Sequence, residues 1–398
     1  MAQAATSTES LKRVNKSLTA TRGSFQRSIN IPVLLSAIAL IAYGAVVIWT
    51  ASLTIADASF SRHLLGIGLG AILGIICWKF DFRGFANLST ALLVLDIAII
   101  FSPYIPGLSY NAMGMTGWIQ IPFIGLTFQP VELAKILTVF IISALGAQYN
   151  GQIDSVREYV KLCGMLAVPF GCILLAGDLG SGLVVFFSGA VVIMMSGPKK
   201  EWVLSTIAIL IGLVALLLAA DSVVDSIFGR DMLLKQYQMN RLLVFIDPTA
   251  DTSGAGYNLM QSLIAVGSGG FFGKGIGAAS QAGEGFLPEA HTDFVFALLS
   301  EEFGFAGALI LLALFAVLIF STIRVAYRTD SLFLKLAAVG IVGIWLFQIL
   351  ENIGMCIGLM PITGIPLPFI SFGSSSMLMQ MANVGIVQSI WRTRSKAA

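Results

Sequence analysis

The residues of this chain best suited to chemistry are charged groups standing in, or at the ends of, long apolar runs: Asp96, Glu132, Asp178, Asp293, Glu301, Glu302 and Glu351. A carboxylate is costly in such surroundings, so each is a functional candidate, with a paired structural role as the alternative. Asp293 has the clearest case. It lies in Leu287-Pro-Glu-Ala-His-Thr-Asp-Phe-Val-Phe, beside Glu289 and His291, where a long connection meets an apolar run. A partly desolvated acid there suits general-base chemistry; an interfacial Asp that caps the next helix has the same residue type. Glu132 and Lys135, three apart, share a helix face. They read either as a structural ion pair or as the lining of a hydrated cavity that receives an anionic headgroup.

Lys274 lies in Gly-Ser-Gly-Gly-Phe-Phe-Gly-Lys-Gly, part of a longer glycine run. This is not a nucleotide phosphate loop, because Ser268 stands where the first glycine is required and Gly275 replaces the magnesium-binding Ser or Thr. Its amides and Lys274 remain suited to a lipid diphosphate, with Arg241 and Lys235 as alternatives for that task. Residues 361–376 crowd three prolines, two glycines and the candidate site residues Ser371 and Ser375 into one stretch. Irregular backbone of that kind at membrane depth must be covered by protein or line a water-filled cavity; a rigid hairpin between helices and a cavity wall are both open readings.

The elements that must position these groups are membrane helices. Of 398 residues, 57% are hydrophobic and 11% charged, with a mean hydropathy of +0.89. A water-soluble globule cannot bury that much apolar surface. Runs of about 17 to 25 residues begin near Ile31, His63, Phe85, Gln129, Val160, Ser181, Val203, Glu302, Leu334 and Ser374, which predicts an all-α polytopic protein with about ten spans. Short-loop Lys and Arg clusters alternate with nearly uncharged loops, which predicts cytoplasmic termini and outward-facing chemistry. Residues 1–30 form a basic tail, 31–392 the membrane domain and 393–398 a second tail. The first run reads as a signal anchor. The connection 221–291, between the seventh and eighth spans, is too long and too apolar for a linker; residues 232–246 and 257–266 have helical spacing, the second lying at the interface. A net charge of +2 does not favour nucleic acid as partner. The four cysteines fall in apolar runs without a CxxC pair and suggest neither disulfide nor zinc site.

Several motifs resemble one family, the SEDS proteins (shape, elongation, division and sporulation), across nearly all of the chain after the tail. They are Trp118-Ile, Phe128-Gln-Pro-Val-Glu-Leu-Ala-Lys135, Asp178-Leu-Gly-Ser181, Tyr237-Gln238 with Arg241, Asp247-Pro248, Gly256-Tyr-Asn258 and Gln261-Ser262. The glycine run with Lys274, the 288–296 segment, Glu301-Glu302, Asn352-Ile-Gly-Met355 and the proline loop continue the match. Gly-Lys-Gly at 273–275 and Thr-Gly-Ile-Pro-Leu-Pro at 363–368 are closer to the RodA branch than to the FtsW branch. Gly117 stands where family members usually carry Arg.

The resemblance implies a peptidoglycan glycosyltransferase in the bacterial cytoplasmic membrane that polymerises lipid II at the outer face in cell elongation and shape, with a class B penicillin-binding protein as partner. It implies Asp293 as the acid that takes the proton of the acceptor hydroxyl. Lys135, Arg241 and Lys274, and a divalent cation such as Mg or Mn, would stabilise the departing undecaprenyl diphosphate of the donor glycan strand, with Glu132 orienting Lys135. Trp118, Glu289, His291, Ser371 and Ser375 complete the implied substrate-binding set. Intramembrane charges and broken helices equally suit a lipid II transporter, and a non-catalytic scaffold for the penicillin-binding protein is a third possibility.

Overall fold

The computed structural model describes residues 28–107, 109–112, 115–120, 127–228, 243–247, 251 and 254–394, without the side chains of 109–112, 115, 116 and 217–228. Ten helices stand at the ten expected runs: α1 (Ile31–Thr54), α2 (Phe60–Lys79), α3 (Ser89–Phe101), α4 (Pro130–Gln148), α5 (Val156–Leu175), α6 (Leu179–Met195), α7 (Lys200–Phe228), α9 (Val295–Tyr327), α10 (Leu332–Cys356) and α11 (Ser374–Thr393). Six of them, α1, α2, α4, α5, α9 and α10, are long and apolar enough to cross a membrane, and α3 and α6 are shorter apolar helices. The protein is an all-α polytopic membrane fold. Within the long connection, α8 (Ala255–Ser268) covers the stretch expected to be helical at 257–266.

The boundaries move for physical reasons. Asp81 caps a 3-10 turn, Phe82–Asn87, which delays α3 from the expected Phe85 to Ser89. The eighth span begins at Val295 rather than near Glu302, because the apolar stretch ahead of Glu301 is helical too. α7 continues to Phe228, past the boundary expected at 221. Most of 232–246 lies outside the described residues, as do Lys235 and Arg241. A three-stranded antiparallel sheet, β1 (Ser109–Ala112), β2 (Met115–Gln120) and β3 (Thr127–Phe128), precedes α4; apolar periodicity gives no sign of it.

Local signals start the helices where the sequence places them. Asn30 accepts the Val33 amide ahead of α1, with Pro32 in the first turn. Ser155 and Glu158 form a capping box on α5. α4 sits at the centre, packed on α3, α5, α6 and α10, and is buried almost throughout from Pro130 to Gly146. Such a helix has no solvent or lipid face to show, which is why its sequence lacks a polar stripe. One of its few polar side chains pairs across helices: Thr138 Oγ1 donates to Asp96 Oδ2 at 2.9 Å.

α2 and α11 approach backbone to backbone. Gly66, Gly70 and Gly74 repeat every four residues along α2, and a Cβ on Gly385 of α11 would collide with the Gly74 carbonyl. Spaced small residues of this type let membrane helices dock closely. At one end of the bundle Gln388 exchanges two hydrogen bonds with the Asn30 backbone, at 2.7 and 2.9 Å, and Arg392 donates to Lys79 O at 2.7 Å. That end carries Lys79, Arg83, Arg157, Lys161, Lys199, Lys200, Arg324, Arg328, Arg392 and Arg394. The sheet, the turn before α9 and the proline loop lie at the other.

Candidate active site

The turn before α9 holds Asp293. Glu289, at φ 53°, bends the chain so that its carbonyl accepts the amides of Thr292, Asp293 and Phe294 at 3.1 to 3.2 Å. Thr292 Oγ1 donates to the Glu289 carboxylate at 2.8 Å. The helix N-cap is Phe294, with no side-chain cap, so Asp293 does not stand there as a capping residue.

Asn352, buried in α10, fastens this turn to the proline loop. Its Nδ2 donates to Asp293 O at 2.7 Å and to Ile365 O at 2.8 Å. Ser371 adds a second fastening: its hydroxyl donates to Thr292 O at 2.6 Å and accepts the Leu367 amide at 2.8 Å. Phe372 N completes a third, to His291 O at 2.9 Å. The loop turns at Gly364, φ 77°, where an added Cβ would lie 3.0 Å from Asp293 Oδ2. The carboxylate of Asp293, half-buried, therefore rests against bare backbone, and Thr363 beside it donates to Glu351 Oε1.

The starts of α4, α6 and α11 converge on the same loop. Asp178 caps α6 by accepting Ser181 N at 2.9 Å, and also accepts Gln129 Nε2 at 3.2 Å. Ser375 accepts Gln129 N and donates to Thr127 O, both at 3.0 Å. Gly180 packs on the Thr363 carbonyl. The hydroxyls of Ser371 and Ser375 thus hold backbone in place.

Glu132 and Lys135 form an ion pair of 2.7 Å with both side chains almost wholly buried, at 3% and 2% exposure. The ion pair is common to both readings open from spacing. Lys274 is not with this group; its Nζ lies 2.5 Å from Glu301 Oε1, about two helical turns beyond Asp293. The His291 ring lies 5.5 Å from that of Phe372, and its Nδ1 is buried without a hydrogen-bond partner. Burial pushes the His291 pKa down, against the opposing pull of Glu289 and Asp57. Trp118, partly buried on β2, pairs with Tyr110 across the sheet. Arg241 lies outside the described residues.

Among the described residues no group of three or more His, Cys, Asp or Glu side chains could hold a metal ion. The described residues thus build no such set for the divalent cation the resemblance implies. Sequence reasoning does not single out Asn352, Gln129 or Gly364 as site residues. The available cue for Asn352 was an amide inside an apolar helix, which must find partners once buried.

Residues 31–396 match the family model of cell cycle proteins named for FtsW, RodA and SpoVE. The chain is 32% identical over 362 residues to stage V sporulation protein E of Bacillus subtilis, covering 89% of this chain and 94% of that protein. It is 33% identical over 360 residues to the peptidoglycan glycosyltransferase MrdB of Escherichia coli, covering 90% and 92%. Among solved structures, a chain from a study of how a peptidoglycan synthase complex coordinates polymerization and crosslinking superposes with a TM-score of 0.73 at 28% identity, covering 92% of this chain and 98% of that one. The rod shape determining protein RodA of Thermus thermophilus gives 0.64 at 25% identity, covering 92% and 97%. With its fold, its motifs and nearly its full length matched, the chain belongs to the FtsW, RodA and SpoVE family, the SEDS proteins.

Proposed function

We propose that this protein is a peptidoglycan glycosyltransferase that polymerises lipid II at the outer face of the cytoplasmic membrane. The observation that carries the reading is the placement of Asp293. A half-buried carboxylate lies against the bare backbone of Gly364, at the bundle end opposite the basic clusters, and its main chain is held by Asn352. Basic short loops favour the cytoplasmic side, so the Asp293 end faces out and both termini face in. Relatives named as peptidoglycan glycosyltransferases support the activity.

In this reading Asp293 accepts the proton of the acceptor sugar's 4-hydroxyl as that oxygen attacks the anomeric carbon of the donor strand. The bond from that carbon to the diphosphate breaks, and undecaprenyl diphosphate leaves with its electron pair. A positioned base supplies roughly 10²- to 10⁴-fold. The Asn352 and Ser371 fastenings keep the carboxylate from drifting, and a misplacement of about 1 Å is costly. Arg241 and Lys135 are proposed to face the leaving diphosphate, the latter oriented by Glu132; no step is assigned to a metal ion. The 273–275 and 363–368 motifs support a role in elongation, and the likeness to a synthase complex supports a class B penicillin-binding protein as partner.

Purified protein with its penicillin-binding partner is expected to convert lipid II to glycan polymer, and Asp293→Ala is expected to abolish this while still binding the partner. Translocation of lipid II in vesicles without any polymer would replace the enzyme with a transporter. Growth of a depletion strain on Asp293→Ala would leave only a scaffold.

A further inference from the structure

In an unbroken α-helix the amides of Phe305 and Ala306 donate to the carbonyls of Glu301 and Glu302. Gly304, at φ 66° and ψ −164°, prevents this; that conformation is open essentially to glycine alone. The glycine run fills the gap. Lys274 N donates to Glu301 O at 2.9 Å and Gly275 N to Glu302 O at 3.0 Å, while Phe305 N and Ala306 N donate to Gly270 O and Phe271 O at 2.9 and 3.0 Å. All four groups released by the break are satisfied by one loop, as backbone within a bilayer requires.

The insertion is backbone against backbone. A Cβ on Gly269, Gly273 or Gly304 would collide with Ser300 O, Glu302 O or Gly273 N, respectively. Side chains then clamp it. Glu301 takes the Lys274 ammonium at 2.5 Å, the Ser280 amide at 3.0 Å and hydroxyl at 2.9 Å, and the Gln281 amide at 3.2 Å. Glu302 takes Gly277 N at 3.1 Å and Thr50 Oγ1 at 3.0 Å. Two carboxylates at the C-terminal end of a helical segment oppose its dipole, so these donors offset a real cost. The segment 295–303, with Asp293 just ahead of it, is a separate piece of α9 whose placement depends on the inserted loop.

We propose that Lys274, Glu301 and Glu302 are positioning residues: the glycine loop is clamped into the backbone ladder of α9 and thereby sets where Asp293 stands. Lys274 serves the clamp and is not a ligand of the diphosphate. The catalytic part of this statement rests on Asp293 being the base; the clamp itself does not.

The test uses the full chain with its partner in lipid nanodiscs and compares Lys274→Met, Lys274→Arg and Glu301→Gln with the parent protein. Hydrogen exchange of peptides covering 270–276 and 301–306 reads the clamp, and initial rates over a lipid II series separate kcat from KM. Lys274→Met and Glu301→Gln are expected to speed exchange there at least tenfold and to lower kcat at least tenfold, with KM within twofold and Lys274→Arg restoring both. A raised KM with unchanged kcat and intact protection would make Lys274 a substrate ligand and overturn the proposal. Unchanged exchange in both charge-removing variants would overturn it as well. Accelerated exchange in the two charge-removing variants, with a parent protein that makes no polymer, would uphold the clamp and remove the glycosyltransferase reading instead.

Discussion

Two groups of acids lie about two helical turns apart along the same stretch of chain, in different surroundings. Glu301 and Glu302 are buried and supplied with donors: the Lys274 ammonium and Gly277 amide of the glycine run, the Ser280 amide and hydroxyl and the Gln281 amide just after it, and the Thr50 hydroxyl of α1. Asp293 is half-buried, its main chain is pinned by Asn352, and its carboxylate faces backbone bare of a side chain at Gly364. An acid saturated by its own chain stabilises an arrangement. In the function proposed above, the acid whose backbone is fixed beside the bare Gly364 turn is the one that meets substrate. All three residues look alike in sequence, as acids at a span's end.

The sharpest way to break this comparison is at Asp293 itself. Asp293→Asn keeps size and should lower polymerisation by about 10³-fold, within the range of a lost general base, while the melting temperature in detergent stays near that of the parent; a rate within threefold of the parent would end the distinction. Next is the buried pair on α4. Lys135→Met strands Glu132 inside the bundle and should cost about 3 to 5 kcal/mol in stability, whereas Glu132→Gln with Lys135→Met should recover most of that in a thermal unfolding series. Asn352→Leu removes the amide that joins Asp293 O to Ile365 O and leaves both carbonyls without it. A loss of about 1 to 3 kcal/mol is expected, accompanied by a fall in kcat that the same substitution at Gln348 does not reproduce.

The smallest effect is a pH dependence. His291 has its folded pKa pushed below the ordinary value of 6.5 by burial. The unfolded chain therefore binds the proton first as pH falls, so stability should decline below about 6.5 and level off once pH passes the lower folded value. His291→Gln should remove that slope in melts between pH 5 and 8.

The spans were legible because hydropathy is a local property; the cap that Asp178 forms on α6 was not read from the sequence, although it needs only its own next turn. Glu132 and Lys135 could be paired from spacing, since a helix brings positions three apart together. The sheet before α4 was not legible, because its register is set by strands that show no alternation in so short a stretch. The resemblance implies Ser371 and Ser375 as substrate contacts, and the sequence does not show that both hydroxyls bond backbone in the structure. Lys274 was read by its type and its glycines, with nothing nearby in sequence to name Glu301, 27 positions on, as its partner.

By itself the sequence determined the bilayer as solvent, the number and order of the helices, and the family, because apolar runs and motifs are carried by neighbouring residues. Only the tertiary structure decided which groups partner Glu301 and Glu302 and what fastens the turn that carries Asp293. The glycine run meets the break at Gly304, and Asn352 reaches Asp293 and Ile365, through hydrogen bonds between segments far apart in the chain. A hydrogen bond of that kind depends on where folding brings two segments together, and no local pattern of residue types records it.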